Sequence, residues 1–404
     1  LALLYVMAGF AAGTWILHGK EYRVDTLYHA YIGPGTTQTS IKLAGPVNLR
    51  VFYTTTDLKN ENVDVRAIKH KDTLTGLGTV SNAAESHSTS NRSYFAGINA
   101  DFFSSSMPCG ITVVDGEVYC SDPASGWSLV GIDGNKIPYS GGGDFYVKLT
   151  APDYSTAELS AMNLERETNG LVLYSSRKGA NTGTDGNGSE VVLIPDGEGN
   201  FLTPGATVRM RVQGNPNHAG SMPILDNGYI LSGSGTKESF VSNLSEGDEV
   251  EVRCAIRFNG FTGGKIQQAL GGCPMLVSGG KVLDTENALD HLTSAQPRTA
   301  VGYNAEKNKL VMLVADGRSS ISVGPISKVL ADIMIYAGCS EAMNFDGGGS
   351  STFYVKGEGV INQPSDGSER SVTDGLYLST DAPQNDVTIT TIRFMDYAKT
   401  LNQG

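Results

Sequence analysis

Residues 343–355, MNFDGGGSSTFYV, place three consecutive glycines between a carboxylate, Asp346, and the hydroxyls of residues 350–352. Apolar, strand-like residues stand on both sides, so the stretch is expected to border a buried core. Each glycine costs backbone entropy, roughly 0.5–1 kcal/mol relative to alanine inside a regular element. One glycine is enough for a turn, so three indicate that a ligand approaches bare backbone N–H groups. Consecutive amides in a turn form an anion-binding concavity, and the stretch is therefore predicted to be an anion cradle with Asp346 at its lip.

The composition predicts a globular, turn-rich protein. The chain has 404 residues, 40% of them hydrophobic, which is enough for one large domain or two to three smaller ones. Its 50 glycines follow no collagen-like period. The formal net charge of −12 repels nucleic acids and anionic lipid surfaces, so neither is expected as a partner. An anionic substrate would need a local cluster of arginines.

Strand signals dominate the pattern. Alternating or β-branched residues predict strands at 47–55, 145–151, 190–195, 207–214 and 248–258, and residues 299–320 read as two strands joined by a polar turn. Helices are few: an apolar stripe after Pro325 predicts one at 324–338, and weaker patterns suggest others at 79–88 and 286–294. The predicted fold class is α+β, with strand-rich mixed sheets, a few flanking helices and an active site at strand ends.

The two ends of the chain differ from its middle. The start, LALLYVMAGFAAGTW, is apolar and uncharged and ends in small residues, so residues 1–30 are interpreted as a signal-peptide remnant or N-terminal segment. A buried first helix or strand is the alternative. The signal-peptide interpretation predicts a secreted, periplasmic or cell-surface protein, without a membrane partner beyond the cleaved signal. Residues 381–404 are interpreted as a linker or the start of a following β domain.

Several familiar catalytic and cofactor motifs are missing from the sequence. It contains no HExxH, no GxSxG, no P-loop and no GxGxxG that opens a helix after a strand. The five cysteines form no CxxC pair, so a zinc site is not expected. The polar loop 179–190 lacks the first acidic ligand and the closing glutamate of a calcium loop. We therefore expect neither a metal nor a cofactor.

Four polar clusters each border an apolar strand. They contain Asn99 with Asp101, Arg298 with Thr299, Asp316 with Arg318, and Asn344 with Asp346. Polar groups at strand ends can share one rim of a sheet, where sites are usually built. A simple turn role is the alternative for each cluster, and it is the preferred interpretation for Asp101.

The clusters suggest a ligand. An anion cradle with two arginines indicates phosphate, because a guanidinium binds phosphate in a fork. Two carboxylates, Asp316 and Asp346, indicate acid, base or nucleophile chemistry on a sugar. Together they predict a sugar phosphate, or a sugar joined through phosphate.

At these residues the chain resembles the phosphodiester glycosidases, the family of the mannose 6-phosphate uncovering enzyme. The motifs that carry the resemblance are INADFF (98–103), GGCPMLVSGG (271–280), PRTAVGYN (297–304), VADGR (314–318), MNFDGGGSSTFYV and QPSDGSERSVTDGL (363–376). They occur in the family order, span roughly residues 30 to 380, and imply a catalytic domain at 31–380, in which 135–255 aligns least. Family members often carry glycine at positions 100 and 101, which favours Asn99 over Asp101 as a site residue.

The resemblance implies hydrolysis of a glycosyl-phosphate bond, releasing a sugar such as N-acetylglucosamine from a glycan or exopolysaccharide. The leaving phosphate monoester has a second pKa of about 6, so it needs little general-acid help. Asp346 or Asp316 would attack the anomeric carbon or activate water. The substrate-binding candidates are Asn99, Arg298, Thr299, Arg318, Asn344, Gly347, Gly348, Gly349, Ser350, Ser351 and Arg370.

Some roles stay open. Asn99 and Asn344 would bind sugar hydroxyls or orient a carboxylate, and Arg370 is either a third basic contact or a member of a surface ion pair. Two other functions also remain: a non-catalytic module that binds surface glycans or exopolysaccharide, and a phosphodiesterase that breaks the P–O bond. The expected partner is a sugar-phosphate or glycan substrate, and the oligomeric state is open.

Overall fold

A computed structural model describes residues 13–121, 127–197, 201–259, 261–262, 264–285 and 292–382 of the chain. Strands dominate these residues. The described helices are three α-helices, Val80–His87, Glu238–Ser242 and Ser327–Tyr336, and three 3₁₀ turns, Ser176–Lys178, Gly235–Lys237 and Gly348–Ser350. The predicted strand-rich α+β class is confirmed.

The first sheet contains most of the predicted motif strands. Its nine strands lie in the order Gly13–Leu17, Lys20–Gly33, Thr36–Ala44, Asn48–Asp57, Lys309–Ala315, Arg298–Tyr303, Glu341–Asn344, Met275–Ser278 and Lys281–Val282. The central pairs are antiparallel, with Arg298 opposite Ala315 and Ala300 opposite Asn344. The start of the strand Arg298–Tyr303 therefore lies between the ends of Lys309–Ala315 and Glu341–Asn344. This register brings three of the four polar clusters together.

A five-stranded sheet contributes the fourth cluster. Its strands lie in the order Gly359–Val360, Phe353–Val355, Ser93–Asn99, Asp374–Thr380 and Asp64–Lys69. One core cluster joins it to the first sheet through residues that include Phe95, Ile98, Val301, Met312 and Phe353. Packing of these inner faces brings the end of Ser93–Asn99 close to the glycine loop, whose Asp346 N–H donates to the Ala100 carbonyl.

Helices cover the outer faces of these two sheets. Ser327–Tyr336 contacts the strand Met275–Ser278 and contributes Leu330 and Ile333 to the core cluster that contains Val311 and Leu313 of the first sheet. Val80–His87 packs Val80 and Ala84 against the five-stranded sheet. The motif-bearing half is thus layered as helix, sheet, sheet and helix, and the polar clusters lie at the edge between the two sheets.

The remaining strands form a third sheet with its own apolar core. Its main path is Glu117–Cys120, Thr112–Val114, Ile266–Gly272, Ser128–Asp133, Pro138–Thr150, Glu249–Phe258, Thr207–Asn217, Ser189–Pro195, Tyr229–Gly233, Leu171–Ser175 and Ala161–Met162. Thr156–Glu158 and Phe261–Thr262 pair beside this path, and Phe103–Ser104 with Met107–Pro108 form a separate hairpin. The segment 135–255 is therefore largely a β structure beside the motif-bearing half.

Predicted elements and observed elements differ mainly at their ends. The helix expected at 324–338 begins at Ser327, because Ile326 is still extended (φ −73°, ψ 164°) and the Pro325 carbonyl accepts from Arg298. The helix expected at 79–88 is Val80–His87, capped by Thr79. For the helix expected at 286–294, residues 286–291 lie outside the described residues.

The domain boundaries stay predictions. Residues 1–12 and 383–404, on which the signal and linker interpretations depend, lie outside the described residues. Residues 13–30 belong to the first two strands of the nine-stranded sheet, so the boundary expected at residue 31 falls inside Lys20–Gly33. In the part of the chain that is described, no helix combines the length and the apolarity that crossing a membrane requires.

Candidate active site

The glycine loop follows the strand Glu341–Asn344 directly. Phe345 anchors it in the core, and the loop then turns through Gly348, whose φ of +62° suits glycine. A Cβ on Gly347 would lie 2.8 Å from the Pro297 carbonyl oxygen, and one on Gly348 would lie 3.0 Å from Arg318 Nη2. A Cβ on Gly349 would collide with Arg370 and Asp366. Backbone contact at Gly347 and the positive φ of Gly348 thus require glycine, whereas a side chain at Gly349 would displace the ends of Arg370 and Asp366; the sequence did not supply these reasons.

The amides of this loop are partly used by the protein. The Gly348 N–H donates to the Pro297 carbonyl at 2.9 Å, and the Gly347 N–H bonds the Asp346 carboxylate. The predicted cradle of three amides would therefore bind a phosphate with fewer free donors than the sequence suggested.

Asn99 ties the loop to both sheets. Its Nδ2 donates to the Asp346 carbonyl at 2.7 Å, and its Oδ1 accepts from Thr299 Oγ1 at 2.8 Å and from the Thr352 N–H at 3.1 Å. Thr299 Oγ1 also lies 3.2 Å from Ser351 Oγ. All of these side chains are buried, so this geometry favours a positioning role for Asn99, Thr299 and Ser351.

Asp346 has the properties of a general base or nucleophile. Burial raises the pKa of its carboxyl to about 6, a shift that the Ser350 hydroxyl, the Gly347 N–H and Arg370 oppose and that the charge of Asp374 reinforces. Such a group is mostly ionised at neutral pH and still basic enough to accept a proton.

Two arginines approach the loop from the solvent side. Arg318 is exposed, donates through Nε to Gln296 Oε1 at 2.7 Å, and lies against Gly348. Arg370 donates to Asp366 at 2.6 Å and through Nη1 to Ser350 Oγ at 3.4 Å. Both alternatives weighed for Arg370 are thus present in its geometry: it forms an ion pair with Asp366, and it also lies against the loop.

Arg298 is placed differently. It is 1% exposed, and its guanidinium donates to the carbonyls of Pro325 and Ser294. These hydrogen bonds hold the segment before the helix Ser327–Tyr336 in place. Burial, together with the charge of Arg318, lowers its pKa to about 10. The guanidinium is therefore near the site but faces protein carbonyls, and contact with a phosphate would require it to move.

Asp316 lies at the base of the segment 363–376. Its Oδ1 accepts from the Gln363 N–H at 2.8 Å and from Asn362 Nδ2 at 3.4 Å, and burial raises its pKa. Asn362 in turn donates to the Ser351 carbonyl at 3.0 Å. This network favours a role in holding the loop that carries Arg370, and direct attack on a sugar by Asp316 remains a prediction.

Two further groups line the site and one was not expected. Asn344 donates through Nδ2 to the Cys273 carbonyl at 2.7 Å. Asp374, which sequence reasoning missed, is fully buried and accepts from the Asp101 N–H at 2.9 Å. The sequence feature that points to Asp374 is the stretch TDG (373–375), which belongs to the motif QPSDGSERSVTDGL and stands at the start of a strand. Within the described ranges, no three His, Cys, Asp or Glu side chains are arranged to hold a metal ion.

Comparison with known protein families tests the resemblance that the motifs suggested. Residues 205–379 match the phosphodiester glycosidase family. The match contains all the candidate residues of the first sheet, the glycine loop, Arg370 and Asp374, whereas Asn99 and Asp101 precede it. The resemblance inferred from the motifs is confirmed. Phosphodiester glycosidases are hydrolases, and the match supports a function of that kind.

Similar individual proteins extend the comparison. An uncharacterized SPbeta prophage-derived protein of Bacillus subtilis, YomE, is 40% identical over 88 residues, which cover 22% of this chain and 13% of that protein. A "Putative exported protein" from Burkholderia pseudomallei has a TM-score of 0.65 at 18% identity, over 93% of this chain and 100% of its own. A hypothetical protein from Synechocystis has a TM-score of 0.65 at 15% identity, over 86% of this chain and 62% of its own.

The catalytic domain of zebrafish N-acetylglucosamine-1-phosphodiester alpha-N-acetylglucosaminidase, auto-inhibited by its pro-peptide, is also similar. Its TM-score is 0.46 at 12% identity, over 88% of this chain and 87% of that one. The phosphodiester glycosidase assignment therefore rests on the family match over residues 205–379.

Proposed function

We propose that this protein hydrolyses the glycosyl-phosphate bond of a sugar-1-phosphodiester. The observation that carries the proposal is the convergence of Arg318 and Arg370 on a glycine loop that presents Asp346, a carboxyl group of raised pKa. The phosphodiester glycosidase match, which includes all three residues, supports the same reaction.

The roles follow from charge and exposure. Arg318 and Arg370 bind the phosphate, because their guanidinium groups are accessible and bind phosphate oxygens in a fork. Asp346 attacks the anomeric carbon or activates the water that does. The C–O bond to phosphate breaks, the phosphate monoester leaves with the bonding electrons, and water supplies the hydroxyl of the released sugar. Electrostatic stabilisation of the charged sugar and the leaving phosphate supplies much of the rate.

The test is release of free sugar from methyl phosphodiesters of several hexoses and N-acetylhexosamines by pure protein. We expect turnover by the wild type, a large loss in Asp346→Asn, and little change in Asp144→Asn, a control acid on the third sheet that is 67% exposed. Absence of turnover on every diester would contradict the proposal. In ¹⁸O-labelled water, label in the sugar identifies C–O cleavage, and label in the phosphate would identify a phosphodiesterase instead.

A non-catalytic glycan-binding module is the second candidate. It is favoured by the protein contacts that already occupy Arg298 and Asp316. A binding module would retain its affinity for sugar phosphodiesters in Asp346→Asn and would show no turnover in either form.

We also propose that the protein is exported and acts on a surface glycan or exopolysaccharide. A protein of similar fold from Burkholderia pseudomallei carries the description of an exported protein, which supports this location. Fractionation of cells that produce the full-length protein tests it, and recovery in the cytoplasmic fraction alone would contradict it.

A further inference from the structure

We propose that Asp101 and Asn344 form a specificity subsite that binds one hydroxyl group of the sugar beside Asp346. This inference rests on the proposed function, since it names a part of the substrate that the same site recognises. Neither residue has a role in the reaction described above.

Asp101 has one oxygen that the protein uses and one that it does not. The side chain is 1% exposed, and its Oδ2 accepts from the Gly110 N–H at 2.7 Å. The Phe102 N–H also interacts with this carboxyl and lowers its pKa, and beyond that Oδ1 is buried with no hydrogen-bond partner among the described residues. Buried polar atoms are nearly always bonded, so an oxygen left in this way points to a partner that arrives from outside the chain.

Asn344 presents a second oxygen of the same kind. It is also 1% exposed, and its Nδ2 donates to the Cys273 carbonyl at 2.7 Å. Because a carbonyl can only accept, this bond fixes which end of the amide is the nitrogen. Asn344 Oδ1 is then a buried acceptor without a partner in the described part of the chain.

Asp101 Oδ1 and Asn344 Oδ1 belong to side chains that contact the same short segment of the chain. Cys273 accepts from Asn344, and the two glycines before it contact both residues: a Cβ on Gly271 would lie 2.5 Å from Asp101 Oδ2, and one on Gly272 would lie 2.7 Å from the Asn344 carbonyl oxygen. Asp101 in turn feels the charge of Asp346, whose N–H donates to the neighbouring Ala100. The subsite therefore adjoins the carboxyl group proposed to act at the anomeric carbon.

The backbone around Asp101 leaves space for its carboxyl. A Cβ on Gly271 would lie 2.5 Å from Asp101 Oδ2, and one on Gly110 would lie 3.1 Å from the same atom. Glycine at both positions allows the carboxyl to sit between two backbone segments of different chain regions. This close packing holds the side chain in one orientation.

The protonation of Asp101 defines the ligand chemistry. Burial, reinforced by the charges of Asp374 and Asp346, raises the pKa of Asp101, which favours the protonated carboxyl. A protonated carboxyl can donate one hydrogen bond, and Oδ1 is the oxygen that does not accept from Gly110. Asp101 then donates a hydrogen bond and Asn344 Oδ1 accepts one, and a hydroxyl group provides the matching acceptor and donor.

The test combines variants with substrates that lack one hydroxyl. The probes are the methyl phosphodiester of the best hexose from the panel above and its 2-, 3-, 4- and 6-deoxy forms. In the wild type, removal of one particular hydroxyl should lower kcat/KM roughly 5- to 10-fold, as expected for loss of neutral hydrogen bonds. In Asp101→Gly and Asn344→Ala, the same deoxy substrate should lose less than about 2-fold relative to its parent.

The control is Asp133→Asn. Asp133 is another buried acid that accepts backbone N–H groups, here from Asn135 and Ile137, on the third sheet. It should keep the wild-type ratio between parent and deoxy substrates. Because each ratio compares two substrates on one protein, partial loss of folding in a variant does not alter it, and thermal unfolding of each variant reports folding separately.

The outcomes separate the subsite from the reaction. Equal deoxy ratios in wild type and variants would overturn the subsite and leave the hydrolase intact. If no diester is hydrolysed, the proposed reaction fails, and ligand-detected NMR of the same panel measures the ratios as binding affinities. In that case, a hydroxyl group that strengthens binding to the wild type but not to Asp101→Gly and Asn344→Ala would still support the subsite. The same gain in affinity in wild type and variants would overturn it.

Discussion

The motif-bearing half and the third sheet differ in how their buried carboxyl and amide groups are hydrogen-bonded. In the third sheet, Asn163 is fully buried and satisfied: it donates to the Tyr119 carbonyl and to Ser175 Oγ and accepts from the Ser175 N–H. In the motif-bearing half, Asp101, Asp316 and Asn344 each retain a buried oxygen without a partner. Within the described residues these are the only carboxylate or amide oxygens of that kind, whereas the unpartnered buried atoms of the third-sheet strands include the hydroxyls of Tyr174 and Ser189.

The difference shows where the fold tolerates an energetic penalty. Leaving a buried acceptor unbonded costs about 1–3 kcal/mol. A protein can remove that penalty in a region that only needs stability, and the satisfied Asn163 illustrates this. Retention of three such oxygens near Asp346 indicates a region shaped for a polar ligand.

The largest expected effect comes from Asp346→Asn. Loss of a general base or nucleophile should lower kcat on the order of 10²- to 10⁴-fold, with a much smaller change in substrate affinity. Steady-state kinetics on a sugar phosphodiester measures it. A kcat within about threefold of the wild type would show that Asp346 takes no part in the chemistry. It would also leave no catalytic difference between the motif-bearing half and the third sheet.

A matched pair of asparagines tests the comparison directly. Asn99→Ala and Asn163→Ala each remove a buried amide with three hydrogen bonds, so each should lower the free energy of unfolding by ~3 kcal/mol. Only Asn99→Ala should also lower turnover, because Asn99 holds the carbonyl of Asp346. Equal kinetic losses at conditions where both variants remain folded would contradict the difference between the regions.

The pH dependence of kcat/KM should report Asp346. With a folded-state pKa of about 6, its ionised form is lost below that pH, and kcat/KM should fall about tenfold for each further pH unit. The effect on stability has the opposite sign: a carboxyl whose pKa is raised by burial stabilises the fold at low pH, and this contribution disappears as the pH rises through about 6. Urea unfolding at pH 5 and pH 7, with Asp346→Asn as the reference, measures the second effect.

The smallest expected effect is that of Arg370→Met. Its guanidinium is already paired with Asp366, so loss of its phosphate contact should raise KM only about tenfold and lower kcat far less than Asp346→Asn does. Arg92→Met, which removes a comparable surface ion pair with Asp381, is the control and should leave KM as it is. An unchanged KM in Arg370→Met would assign Arg370 to its ion pair alone.

Local sequence pattern predicted much of this structure. The strands around the motifs, the helices at Val80–His87 and Ser327–Tyr336 and the fold class follow from periodicity and turn residues, because these features act over a few neighbouring residues. The pattern did not predict that Arg298 would face carbonyls or that Asp374 would lie beside Asp101. Those contacts join residues far apart in the chain, and no local periodicity encodes them.

The sequence by itself determined which chemical groups this protein holds: a triple glycine, arginines and acids at the ends of apolar strands. The tertiary structure alone decided their roles. Antiparallel register and packing of two sheets determine which acid is buried to a pKa of about 6, which arginine stays exposed and which oxygens lack a partner. The physical reason is that desolvation and hydrogen bonding depend on neighbours in space, whereas the order of residues specifies neighbours only along the chain.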